Sequence, residues 1–75
     1  MSTHEKWVIY SAGDTQFCFN IHVVSRLEQQ LRNEGKSYRT IYYRNNEPVR
    51  YAAGLGYKVM SRKEEATIVA SVQFD

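Results

Sequence analysis

The chain has 75 residues, a formal net charge of +2, one cysteine and two histidines. That length makes one small domain, residues 1–75, near the lower size at which a core holds without staples. A single cysteine excludes an internal disulfide and a cysteine-rich zinc site, so packing has to carry the stability. No stretch reads as a secretory h-region or a membrane span, and the expectation is a reducing, cytoplasmic setting with no membrane partner.

In chain order the first element is KWVIYS, residues 6–11, short, aromatic and β-branched, which predicts a buried strand ending at Ala12-Gly13-Asp14. From residue 16 to residue 33 the period becomes helical: Phe17, Ile21, Val24, Leu27 and Leu31 recur on one face, with Arg26, Gln29 and Arg32 away from it. Asp14 or Thr15 is the expected cap of that helix and Gly35 its stop. SYRTIYYR, residues 37–44, predicts a second strand. Asn45-Asn46-Glu47-Pro48 predicts a turn and a short helix over residues 49–53, with Pro48 at its first position. YKVM, residues 57–60, is strand-like. The last segment has two readings, since Ser61-x-x-Glu64 fits a capping box, whereas Thr67, Ile68, Val69 and Val72 are poor helix residues; the expectation is a strand over residues 66–73.

The predicted order is β-α-β-α-β-β, an α/β domain whose first two strands pair in parallel and whose central sheet is covered by helices. The expected core is Val8, Ile9, Ile21, Val24, Leu31, Ile41, Leu55 and Val69.

Charge is uneven along the chain. Residues 36–63 hold Lys36, Arg39, Arg44, Arg50, Lys58, Arg62 and Lys63 against Glu47 alone, and five of the six tyrosines lie between Tyr38 and Tyr57. The block points to an anionic or acidic partner, or to a solvated basic face over core tyrosines. Elsewhere the chemistry is sparse. His4 and His22 are far apart, Glu64-Glu65 reads as solvated charge, and no set of residues has metal-ligand spacing.

VIYSAGDTQFCFNIHVVSRLEQQLRNEGKSYRTIYY followed by EPVRYAAGLGYKVM resembles the glutaredoxins of the thioredoxin-like superfamily. There a strand ending in Tyr-Ser or Tyr-Thr leads through a loop to Cys-Pro-Tyr-Cys and a helix, and a later short helix ends in Leu-Gly-Tyr. The resemblance covers roughly residues 6–60 and implies a small thioredoxin-like domain with a degenerate site. It places Thr15 where the family has its nucleophilic cysteine and Cys18 at the resolving cysteine, making Thr15, Gln16, Phe17 and Cys18 a vestigial site. Ala12 stands for a lysine that helps hold glutathione, and Met60, after a retained Val59, falls near the cis-proline. ATIVASVQFD has no counterpart of the Gly-Gly-x-Asp segment that grips glutathione. A threonine hydroxyl cannot form a disulfide, and Cys18, between Phe17 and Phe19, reads as a small buried hydrophobe.

Three functions follow as expectations. The first is a non-catalytic protein-binding module, with no cofactor and with a partner of acidic surface, contacted through Phe19, Arg44, Arg50 and Tyr51. The second is a residual thiol redox protein acting through Cys18, with glutathione as cofactor. The third is nucleic-acid binding through the Tyr/Arg block. Phe19 falls opposite the apolar stripe of the first helix, either exposed as an anchor or tucked under residues 45–56.

Overall fold

A computed structural model describes residues 3–54 and 56–73. Strand β1 (Glu5–Ser11) leads through Ala12 and Gly13 directly into a second strand, β2 (Asp14–Cys18). Gly13 lies at φ 70°, the left-handed conformation that this two-residue turn requires and that glycine adopts without cost from a Cβ. The two strands pair antiparallel from Ser11↔Asp14 to Trp7↔Cys18. The residues expected to begin the helix are therefore strand. Helix α1 is Ile21–Asn33, and its N-cap is Asn20, whose side-chain oxygen accepts the His22 N–H at 2.7 Å, not Asp14 or Thr15. It ends as expected at Gly35, with Gly35 N–H bonded to Arg32 O and Lys36 N–H to Leu31 O, a Schellman arrangement.

Strand β3 (Tyr38–Arg44) pairs antiparallel, not parallel, with β1, from Glu5↔Arg44 to Ser11↔Tyr38. The crossover helix exists, but it leaves from β2. Since β2 and β3 both oppose β1, they run parallel to each other with β1 between them. Asn45 and Asn46, both at positive φ, then make a tight hairpin turn, the geometry for which asparagine is among the few tolerant residues. The segment expected as a short helix is strand β4 (Glu47–Ala52). Pro48 pairs with Tyr43 beside a bulge between Tyr42 and Tyr43, so the residue that lacks an N–H sits where the ladder is already broken. Strand β5 (Tyr57–Val59) completes a five-stranded sheet in the order β2-β1-β3-β4-β5. All its pairings are antiparallel, which overturns the expected β-α-β-α-β-β thioredoxin-like topology.

The final segment is helix α2 (Arg62–Gln73), not a strand. Glu64 Oε1 accepts from Ser61 N–H at 3.2 Å and from its hydroxyl at 3.3 Å, while Glu64 N–H donates to Ser61 O at 3.0 Å, so the Glu64 half of the box is made at the helix start. Glu64 and Glu65 in the first turn favour the positive end of the helix dipole. Ile68 and Val72, one turn apart, are buried against the sheet, and that packing outweighs the weak helix propensity of β-branched residues.

The helices lie on opposite faces. Ile9, Cys18, Val24, Leu31 and Tyr38 form the core under α1; Val8, Ile41, Tyr43, Met60 and Ile68 form the core under α2. Of the expected core, Val8, Ile9, Val24, Leu31 and Ile41 are buried and Val69 packs at the edge of the α2 cluster. Ile21 is 44% exposed, because α1 begins there at the end of the sheet, and Leu55 lies outside the described residues. No helix among the described residues is long and apolar enough to cross a membrane.

Candidate functional site

Alternation along each strand sends successive residues to opposite faces, and the registers align these into rows across the sheet. One row on the α1 face reads Cys18–Trp7–Tyr42–Arg50–Val59. Helix α1 lies chiefly over β1 and β2, so it covers the Cys18 end and leaves the other end open. Exposure follows: Cys18 is 2% exposed and Val59 86%.

At the open end, Glu5, Trp7, Ile21, Tyr42, Arg50 and Tyr57 line a shallow cavity of about 240 Å³. The Trp7 and Tyr42 rings lie 5.2 Å apart between centroids, tilted by 39°. The Arg50 guanidinium carbon stands 5.1 Å from the Tyr42 ring centre, a cation–π position. Below them the Tyr42 hydroxyl donates to the Glu5 carboxylate. That hydrogen bond, followed by burial, pushes the Tyr42 phenol above its ordinary pKa. Burial, then the Glu28 carboxylate, does the same to Tyr57, with Arg50 opposing. The cavity therefore offers neutral phenols, an indole face, one guanidinium and one carboxylate. Among the described residues it holds no activated nucleophile. Among the described residues no group of three His, Cys, Asp or Glu side chains could hold a metal ion.

The vestigial-site residues do not converge. Thr15 and Phe17 face the α2 side of β2, Gln16 and Cys18 the α1 side, because they alternate along a strand. Thr15 donates its N–H to Asp14 Oδ1 at 2.9 Å, and its hydroxyl accepts from Gln73 Nε2 at 2.9 Å. It has no helix N-terminus to activate a nucleophile. Cys18 packs among Ile9, Val24, Leu31 and Tyr38, and its thiol pKa is raised by burial, then by Glu28. Both effects oppose thiolate formation. Met60 lies in the core under α2, on the face opposite Cys18.

The residues expected to bind a partner are split. Arg44 and Arg50 share the α1 face. Tyr51 points to the other face, half-buried against the α2 cluster. Phe19 is 75% exposed beyond the end of β2; with Phe17, 63% exposed, it borders a shallow groove also lined by His4, Lys6 and Asn46. Lys6 Nζ lies 5.9 Å from the Phe17 ring and 5.3 Å from the Tyr43 ring.

Glu5, Trp7, Ile21, Tyr42 and Tyr57 were missed as site residues. Alternation alone sets Trp7 and Tyr42 on definite faces of their own strands. Only the antiparallel register brings those faces together. A larger hollow between α1 and the β1–β2 turn, bordered by Asp14, Gln16, Gln30, Glu34 and Lys36, carries no aromatic side chain. No protein-family model, curated protein or solved structure matches the chain.

Proposed function

We propose that this protein is a non-catalytic protein-binding module that docks its partner on the uncovered end of the α1 face. The observation that carries the reading is the row Trp7–Tyr42–Arg50–Val59, in which half-buried Trp7 and exposed Arg50 stand over buried Tyr42, beside exposed Val59. Tryptophan, tyrosine and arginine are the residues that concentrate binding energy in protein interfaces. They are held by mutual stacking and by the Glu5 hydrogen bond, so little side-chain entropy is left to lose on docking.

The partner surface is acidic. Lys36 and Arg62 pair with Glu34, Glu47 and Glu65, whereas Arg44, Arg50, Lys58 and Lys63 take part in no ion pair among the described residues. These charges speed and steer encounter, which makes binding salt-dependent. Single-stranded nucleic acid would use the same tyrosines and arginines. Glu5 in the cavity wall and Glu28 beside Tyr57 oppose a phosphate backbone charged at every nucleotide, whereas a protein can set discrete acidic groups at the unpaired cations and neutral groups against these carboxylates, which favours protein. One free, buried thiol and no disulfide suit a reducing, cytoplasmic setting.

The test is affinity capture from source-cell extract on immobilised wild-type protein and Arg50→Glu, with and without nuclease. The expected result is a protein bound by wild type, retained after nuclease, weakened by salt and lost with Arg50→Glu. Equal capture by the two proteins, or capture abolished by nuclease, would sink the reading.

A further inference from the structure

The two edges of the sheet differ in a way that bears on how a partner is held. In an antiparallel ladder every second residue of an edge strand turns its N–H and C=O away from its neighbour. On β2 the turn closes at Ser11↔Asp14, so the outward residues are Thr15 and Phe17. That edge is blunted. Asp14 takes the Thr15 N–H, and Gln73 from α2 donates to Asp14 O at 3.1 Å and to the Thr15 hydroxyl.

On β5, Met60 N–H bonds to Val49 O at 3.1 Å, which sets the phase: Lys58 and Met60 face β4, while Tyr57 and Val59 face outward. Among the described residues no side chain or backbone group of another element bonds to them. Their side chains both lie on the α1 face, Tyr57 in the wall of the Trp7–Tyr42–Arg50 cavity and Val59 opposite Arg50 in the register. Backbone groups and side chains are thus open on the same two residues.

We infer that an extended acidic segment of the partner adds to β5 as a sixth strand, an inference that rests on the docking reading above. A second copy of the chain is the obvious alternative, since a short strand can pair with its own duplicate. Lys58 opposes that: antiparallel pairing about the middle of β5 would set Lys58 opposite Lys58, and like charges directly opposed are destabilising. A carboxylate opposite Lys58 satisfies the same position. The partner motif is therefore apolar–acidic–apolar, its two apolar side chains on the α1 face beside Tyr57 and Val59 and its carboxylate on the α2 face beside Lys58. The backbone supplies affinity and the alternate side chains supply selectivity, as in other cases of strand addition.

The experiment selects binders to the full chain from a displayed library of random linear peptides, then measures the best synthetic peptide against wild type, Val59→Pro and Arg50→Glu. Proline at Val59 removes an outward N–H and no ladder bond, so the sheet should keep its melting temperature. Strand addition predicts selected peptides with the apolar–acidic–apolar pattern, at least a tenfold loss of affinity with Val59→Pro, and binding abolished by N-methylation at alternate peptide positions. Peptides that lose affinity with Arg50→Glu but tolerate Val59→Pro and N-methylation would overturn strand addition and leave surface docking standing. Absence of enriched peptides, or binding indifferent to both variants, would overturn strand addition, and the docking reading would be decided by the Arg50→Glu capture alone. A concentration-dependent dimer lost with Val59→Pro would assign the edge to self-pairing and overturn the acidic partner.

Discussion

On the α2 face the row Phe17–Val8–Ile41–Tyr51–Lys58 is deepest at its centre and exposed at its two ends, with α2 laid over β1, β3 and β4. On the α1 face the row Cys18–Trp7–Tyr42–Arg50–Val59 is sealed at one end and open at the other. Both rows belong to the same strands, one residue out of step. What separates them is the path of the chain: α1 leaves the edge strand β2 and must return to β3, so it stays over that half of the sheet. Helix α2 starts next to β5 and runs back to β2, where Gln73 meets Thr15. Among the described residues α2 is not tied between two strands of the sheet and takes the central groove, whereas α1, tied at both ends, does not.

The widest contrast is between the two ends of the α1 row. Cys18 should react with a thiol reagent slower by orders of magnitude in the native chain than in denaturant, since access requires α1 to lift. Fast native labelling at neutral pH would mean that α1 does not seal this end. Next in size is the centre of the α2 face. Ile41→Ala should cost about 2–5 kcal/mol in urea unfolding, a large part of the stability of so small a domain. Val59→Ser, at the open end, should change stability by less than about 0.5 kcal/mol. Equal costs would erase the difference between the faces.

Tyr43 tests the α2 face by pH. Its phenol lies far above the ordinary tyrosine pKa through burial, then through hydrogen bonds with Glu65 and Tyr10. Its contribution is complete below the unfolded value of about 10 and is lost above it, where the unfolded tyrosine ionises and the folded one stays protonated. Stability should therefore fall as pH rises past about 10, less steeply in Tyr43→Phe, with Tyr42 and Tyr57 keeping part of the slope. An unchanged slope would mean that the Tyr43 hydroxyl is not held as described. A modest folding effect is expected at the start of α2. Glu64→Ala removes the acceptor of Ser61 and should cost about 0.5–2 kcal/mol, lowering the melting temperature by a few degrees. No change there would show that α2 is held by Ile68 and Val72 alone.

How much was legible can be argued from single residues. Gly35 marked the end of α1 correctly because a left-handed residue after a helix is a local requirement. Ser61 and Glu64 mark the start of α2 in the sequence, whereas the β-branched run after them favours a strand, since propensity is visible locally and burial of Ile68 is not. Phe17 shared a helical stripe with Ile21 and Val24 by spacing alone, but the turn at Gly13 made residues 14–18 a strand. Without that strand a single helix would join β1 to β3 and imply a parallel pair; with it, β3 pairs antiparallel with β1. Arg50 was singled out from the charge of its segment; Trp7 and Tyr57 were not, because neither shows its neighbours in the sequence.

By itself the sequence determined local character and stops: the β-branched and aromatic runs of β1 and β3, the apolar stripe from Val24 to Leu31, the end of α1, and a lone thiol that leaves stability to packing. These depend on residues within a turn or two of each other. The tertiary structure alone decided which strands pair and in which direction, which helix covers which half of which face, and hence that Trp7, Arg50 and Tyr57 meet at the open end of the sheet over buried Tyr42. Those outcomes depend on contacts between residues that are distant along the chain, where the gain from burying one side chain is weighed against every other place it could go.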